Sequence, residues 1–243
     1  RYINCCTHYL NPGILAMQAL ILCGGKGERL RPLTSNIPKP MIKINGKPIL
    51  EYIIDHILLF GIKDFILTTG YQSQVIEDYI RERYPNINII FSNSGDVDII
   101  KRIIDASLHI KNDFLVFYGD TISDVNIFNL IQHHNNNTEP ATMTTWPLKN
   151  QSGVVEIDSK NIISSYKEKP VNWINIGYFY FRQEMLPYIK KFDKYELFLI
   201  DLINKGKFNA YKHPGYHITV NTIYELKDAE KNIDQIQNTI IGN

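Results

Sequence analysis

The sequence predicts an α/β protein built on a doubly wound, mainly parallel sheet, and three observations carry the prediction. The runs Ala19-Leu20-Ile21-Leu22-Cys23 and Phe114-Leu115-Val116-Phe117-Tyr118 are apolar without polar alternation, the pattern of strands covered on both faces. Such runs alternate with helical segments through the first half of the chain, which calls for parallel strands joined by right-handed crossovers. Finally, 243 residues with 44% hydrophobic composition suffice for one α/β domain with a full core.

The first strand, Ala19 to Cys23, runs into a glycine-rich, polar segment that reaches Met41. Lys47-Pro48 opens a helix in which Ile49, Leu50, Ile53, Ile54, Ile57 and Leu58 recur at helical spacing, with proline near its first turn and Gly61 as its stop. Asp64 to Gly70 reads as the second strand and Ser73 to Tyr84 as a helix with Val75, Ile76, Tyr79 and Ile80 on one face. A strand at Ile87 to Phe91, a helix over Val97 to Ile110 and the run from Phe114 complete the parallel set, which ends at Gly119-Asp120. A helix near Asn126 to Gln132 leads to a polar surface loop, His133 to Glu139. His133 and His134 are expected there as solvated helix-end residues, because no third ligand stands nearby to make them a metal site. The second half changes rhythm. Ala141 to Trp146, Val154 to Ile157, Ile162 to Tyr166, Ile176 to Phe181 and Phe208 to Tyr211 are strand-like, with helices near Arg182 to Lys191, Glu196 to Asn204 and Ile223 to Ile236.

Charge narrows the partners. Lys and Arg number 26 against 25 Asp and Glu, so no global field draws the chain to nucleic acid or an anionic membrane. Anion binding must then be local, which suits a small phosphorylated substrate. No apolar run approaches the roughly 20 residues that span a bilayer, and the first sixteen residues lack the apolar stretch of a signal peptide; the expected compartment is the cytoplasm. Of the three cysteines, the adjacent Cys5 and Cys6 fit neither a disulfide framework nor a zinc spacing, and Cys23 is expected to pack as a small apolar residue.

The glycine-rich segment holds the first candidate site. Gly24, Gly25 and Gly27 follow the first strand directly, where backbone N–H groups can approach an anion because no Cβ stands in the way. Lys26, Arg29 and Lys39 place cations over the same region. The residues alone allow two readings, a polyphosphate cradle or a tight turn with ordinary surface cations. The spacing is not a P-loop, since no Gly-Lys-Ser or Gly-Lys-Thr is present. It is not a dinucleotide fingerprint either, because Leu30 stands where the third glycine belongs and Pro32 follows instead of a helix. Downstream, Asp120 closes a buried strand at the carboxyl edge of the sheet, where open α/β sheets bind ligands and a carboxylate can hold a divalent cation between phosphates.

Taken whole, Gly24-Gly25-Lys26-Gly27-Glu28-Arg29-Leu30-Arg31-Pro32-Leu33-Thr34 followed by Pro38-Lys39-Pro40-Met41 resembles the signature of the sugar-1-phosphate nucleotidylyltransferases. The resemblance covers about Met17 to Lys231. It implies a Rossmann-like nucleotidyltransferase fold over residues 17–243, a nucleotide-binding half (about 17–135) and a sugar-binding half (about 136–243) merged over one mixed sheet. Residues 1–16 then precede the fold's own start, as an upstream extension or a remnant of cloning, and are expected to be mobile. The implied reaction joins a nucleoside triphosphate to a sugar 1-phosphate with Mg²⁺ as cofactor.

The resemblance also implies roles. Leu22, Gly24, Gly25, Lys26, Gly27, Arg29, Gln72, Ser94, Gly95 and Gly119 fall at nucleotide-binding positions, Arg29, Lys39 and Asp120 at catalytic ones, with Asp120 on the metal. Gly153, Glu168, Lys169 and Asn175 fall at positions for the sugar phosphate. Asn221 occupies the place of the family's second metal-binding Asp. Three readings follow from that departure: an active enzyme with a weaker or single-carboxylate metal site, which the remaining motifs favour, a water-mediated site, or a lineage without activity. Gly70-Tyr71, Ser94-Gly95-Asp96, Lys101-Arg102, Tyr118-Gly119-Asp120 and His213-Pro214-Gly215-Tyr216 resemble the glucose-1-phosphate cytidylyltransferase branch, so CTP and glucose 1-phosphate lead the substrate choice. Guanylyl, uridylyl or thymidylyl transfer to a mannose, heptose or N-acetylhexosamine phosphate stays open, as does a non-catalytic regulatory homologue; a homo-oligomer is compatible with all of them.

Overall fold

The reversal of winding order at the first strand decides where this fold leaves a crevice for a ligand. The structure is a computed structural model that describes residues 16–242, so the expectation of a mobile extension over 1–16 lies, Ala16 apart, outside the described residues. The glycine-rich segment follows β1 (Gln18–Leu22), and two short strands, β2 (Lys43–Ile44) and β3 (Lys47–Pro48), lead into α1 (Ile49–Leu59). Next come β4 (Asp64–Thr69), α2 (Ser73–Arg83), β5 (Asn88–Asn93), α3 (Ile99–Ala106) and β6 (Phe114–Tyr118). β6, β1, β4 and β5 lie side by side, each pair parallel. The chain therefore runs outward from β1 through β4 to β5 and returns to β6 on the other side of β1. That reversal opens a crevice at the carboxyl ends of β1 and β6, the place where doubly wound sheets bind ligands.

The second half extends the same sheet and makes it mixed. After β7 (Thr121–Ser123) and α4 (Ile127–Asn135), β8 (Ala141–Lys149) leads to a separate ribbon of β9 (Val154–Ile157) and β10 (Ile163–Lys167). β11 (Val171–Phe181) then pairs antiparallel with both β6 and β8. A single turn, α5 (Leu186–Ile189), and α6 (Tyr195–Asn204) precede β12 (Phe208–Lys212), which runs parallel to β8 at the sheet edge. The final order is β12-β8-β11-β6-β1-β4-β5. β13 (His217–Thr219) pairs with β7, and α7 (Ile223–Gly242) closes the described chain. Apolar clusters fill both faces of the sheet, α1 and α7 covering one and α3 and α6 the other. No helix among the described residues is long and apolar enough to cross a membrane.

Several expectations need correcting. His134 is not a solvated helix-end residue. α4 continues to Asn135, and Ile127, Leu130, Ile131 and His134 form its buried face at helical spacing. The His134 ring stacks on Tyr180 at 3.7 Å between centroids, and its Nδ1 lies 2.8 Å from Thr142 Oγ1. Burial pushes its pKa down to about 4, so the ring packs as a neutral aromatic. β11 starts at Val171, five residues before the expected Ile176, because it reaches past the sheet to pair with Pro147 to Lys149. α3 is shorter than Val97 to Ile110. Asp98 caps it, its Oδ1 accepting from Ile100 N at 3.0 Å, and a 3-10 turn replaces its last residues. The stretch from Arg182 to Lys191 holds a 3-10 turn and the single turn of α5 instead of one helix.

Candidate active site

The glycine segment is locked to the crevice by backbone bonds to its neighbours. Cys23 N donates to Thr68 O at 2.8 Å, and Gly119 N donates to Leu22 O at 3.1 Å, tying together the ends of β1, β4 and β6. At Gly27 the backbone turns left-handed (φ 62°), which glycine adopts freely, and Thr34 Oγ1 donates to its carbonyl at 2.9 Å. A 3-10 turn over Glu28–Leu30 buries Leu30 and leaves Arg29 on the crevice side. A second such turn, Lys39–Met41, buries Pro40 and Met41 and places Lys39 opposite. In each turn a buried apolar side chain fixes the direction of the cation beside it.

Four residues distant in sequence meet at this point. Lys39 Nζ pairs with the Asp120 carboxylate and donates to Asn221 Oδ1 at 2.8 Å. Arg29 Nη2 donates to the same Asn221 oxygen at 2.9 Å. Lys39 and Asp120 line a cleft of about 330 Å³, walled also by Leu22 to Gly25, Pro40, Asp96, Arg102, Tyr118 and Gly119, and Arg29 and Asn221 join it through their bonds to each other and to Lys39. Asn221 is delivered by the β7–β13 ribbon: Val220 N donates to Asp120 O at 3.2 Å, and the Thr121 and Thr219 hydroxyls lie 3.0 Å apart. Behind that ribbon the buried Asp124 carboxylate accepts from Tyr216 N at 2.7 Å and lies 2.8 Å from His213 Nε2. A larger cavity of about 520 Å³ sits between α1, the end of α2 and α7. Its cations Lys47 and Arg83 are already paired with Asp55 and Glu51, so it shows no comparable convergence.

Arg102 is the site residue missing from the sequence-based set, which carried it only as part of Lys101-Arg102. It rises from α3, is 4% exposed, and donates from Nη1 to Thr69 O at 3.0 Å. Gly24 and Gly70 make room for its guanidinium: a Cβ on Gly24 would overlap it, and one on Gly70 would stand 2.6 Å from Nη1. No carboxylate pairs with it among the described residues. Burial lowers its pKa, with Asp96 opposing, and a guanidinium stays charged throughout. The Cys23 thiol in the same wall is raised by burial and next by Asp120, so it is inert and packs as expected of a small apolar residue.

The other expected positions lie outside the cleft lining, some beside it and some well away from it. Lys26, partly exposed, pairs with the largely exposed Asp96 at the mouth. Ser94 and Gly95 form the turn after β5, where Gly95 is left-handed (φ 68°). Gln72 is exposed at the start of α2 and does not line the cleft. Among the positions expected to take the sugar phosphate, Asn175 Nδ2 donates to the Tyr118 hydroxyl at 3.3 Å, which joins β11 to the cleft wall. Gly153 packs against the Tyr166 ring, Glu168 accepts from the Tyr166 hydroxyl, and Lys169 sits in a left-handed turn (φ 40°). Glu168 and Lys169 make no hydrogen bond to the cleft among the described residues, so the positions expected to take the sugar phosphate stand apart from the cation cluster. The described residues also hold no group of three His, Cys, Asp or Glu side chains able to grip a metal unaided.

Comparison with known proteins shows the family and the fold. The family model described as Nucleotidyl transferase matches residues 18–219. A protein named "Probable glucose-1-phosphate cytidylyltransferase" from Bacillus subtilis is 30% identical over 91% of this chain and 98% of its own. The bifunctional protein GlmU of Methanococcus aeolicus is 33% identical over 89% of this chain, which spans about half of that protein (54%). The crystal structure of HddC from Yersinia pseudotuberculosis superimposes with a TM-score of 0.67 at 24% identity, covering 89% of this chain and 99% of that one, a likeness of fold. The chain belongs to the nucleotidyl transferase family, as a sugar-1-phosphate nucleotidyltransferase near the cytidylyltransferase branch.

Proposed function

We propose that the protein transfers a cytidylyl group from CTP to glucose 1-phosphate, forming CDP-glucose and pyrophosphate. The observation that carries the reading is the meeting of Arg29, Lys39 and Asp120 at the carboxyl ends of β1 and β6, beside a glycine segment that leaves its backbone open. The choice of base and sugar rests on the Bacillus subtilis relative's name and on Gly70-Tyr71, Ser94-Gly95-Asp96, Lys101-Arg102 and His213-Pro214-Gly215-Tyr216.

The chemistry fits a site without a general base. A phosphate oxygen of the sugar phosphate, already anionic, attacks the α-phosphorus of the triphosphate. The bond from that phosphorus to the bridging oxygen breaks, and pyrophosphate leaves with the electron pair. Catalysis then consists of holding two polyanions in line and neutralising charge at the α-phosphate. Arg29 and the N–H groups of residues 24–27 take the β- and γ-phosphates, Lys39 the transferring phosphoryl group, and Arg102 adds buried donors on the nucleotide side. Lys169 takes the sugar phosphate and Glu168 its hydroxyls, brought in by the arm of β9 and β10. The donor set suits Mg²⁺, which accepts one carboxylate and completes its shell with water and substrate phosphates. Asp120 would hold it, and the ion would supply positive charge to the phosphates. Detection of CDP-glucose by chromatography from CTP, glucose 1-phosphate and Mg²⁺ tests the proposal. Unchanged CTP after long incubation would reject this substrate pair.

A further inference from the structure

We propose that Asn221 is a positioning residue that holds Arg29 and Lys39 side by side, and that it is not a ligand of the divalent cation. The inference rests on the polyphosphate-binding role proposed above for the same cleft. An amide oxygen has two lone-pair directions, and the other end of an Asn side chain only donates. Asn221 Oδ1 accepts from Lys39 Nζ at 2.8 Å and from Arg29 Nη2 at 2.9 Å. Both directions are taken, and the remaining NH₂ group repels a cation. An aspartate in this place would offer a second oxygen for a metal. The asparagine does not.

The backbone around Asn221 is fixed as a support should be. Asn221 N donates to Glu225 Oε2 at 2.7 Å, and Glu225 N donates to Thr222 Oγ1 at 3.2 Å, a reciprocal cap on α7. On the other side Val220 is bonded to Asp120, and β13 is bonded to β7. The amide is thus held at a set distance from Asp120 while Arg29 and Lys39 arrive from two separate turns more than 180 positions earlier. A neutral amide brings two like charges together without cancelling either. Arg29 and Lys39 then stand against the single carboxylate of Asp120, which leaves the cluster net positive toward a polyanion. An aspartate at 221 would remove that excess.

Two binding measurements on the full chain test this without turnover. The first titrates inorganic tripolyphosphate calorimetrically in EDTA, so that neither base nor metal enters. Asn221→Ala is expected to raise the dissociation constant about tenfold, the equivalent of about 1.4 kcal/mol, with its melting temperature near wild type; Asn221→Asp is expected to weaken binding at least as much. The second follows Mn²⁺ binding by electron paramagnetic resonance. Asn221→Ala is expected to keep the wild-type affinity within about twofold, while Asp120→Asn loses it by about tenfold or more. Unchanged tripolyphosphate affinity in Asn221→Ala, or a tenfold loss of Mn²⁺ affinity in that variant, overturns the inference alone. Failure of the wild type to bind tripolyphosphate overturns the cleft's proposed role as well.

Discussion

Gly24→Ala and Gly25→Ala separate a glycine the site requires from one it tolerates. A Cβ on Gly24 would overlap the Arg102 guanidinium, whereas one on Gly25 has nothing within 4 Å. Neither glycine is left-handed, so the difference is purely steric. Arg102 is 4% exposed and its bond to Thr69 O spans 3.0 Å. Its side chain must leave that slot when Cβ is added, giving up one charge-assisted bond at a cost of about 2 kcal/mol. For a chain of this size the melting temperature should fall by about 4–8 °C. Gly25→Ala should stay within about 0.5 kcal/mol of wild type. Melting by circular dichroism reads both effects, and a double-mutant cycle assigns the cause: with Arg102→Ala already present, Gly24→Ala should add less than about 0.5 kcal/mol. Equal losses from the two glycine variants, or the same Gly24→Ala cost with and without Arg102, would refute the slot.

Three further outcomes follow from the same geometry. Lys39→Met should lower turnover about 10²–10³-fold, the usual cost of losing a charge-stabilising donor, at a nearly unchanged melting temperature; matching losses of both would make Lys39 structural. Lys169→Ala should raise KM for the sugar phosphate and leave KM for the triphosphate alone, and steady-state kinetics varying each substrate would expose a shared rise as a misplaced role. Acid should weaken the fold in a defined window, because burial depresses His56, His134 and His217 from 6.5 to about 4. The unfolded chain takes up these protons first, so the stability they contribute is complete above pH 6.5 and is lost as pH falls toward 4. The urea midpoint should drop between pH 7 and pH 5, and a flat profile there would contradict buried neutral imidazoles.

How much of this could be read in the sequence depended on range. The glycine segment with Arg29 and Lys39 was legible because its turns are local, each cation standing next to the buried residue that orients it, Leu30 or Pro40. Asp120 was legible as the polar end of a buried run. Arg102 was not, because in the sequence it is one more charge on an amphipathic helix, and its slot is created by Gly24 and Gly70 from two other segments. The β7–β13 ribbon escaped notice because three-residue strands carry no periodicity, and its partners lie about 95 positions apart. Without that ribbon nothing in the sequence places Asn221 on Lys39 and Arg29. His134 was legible in principle: its spacing from Ile127, Leu130 and Ile131 continues the buried face, but the asparagine run after it reads as a loop.

The most direct test is pyrophosphate release from each of CTP, GTP, UTP, dTTP and ATP combined with glucose 1-phosphate, mannose 1-phosphate, a heptose 1-phosphate and N-acetylglucosamine 1-phosphate, all with Mg²⁺. The predicted result is a maximum at CTP with glucose 1-phosphate, dependent on both substrates and nearly abolished by Lys39→Met. Release that peaks at another pair would contradict the proposed substrates. No release from any pair would contradict catalysis by the cluster of Arg29, Lys39 and Asp120.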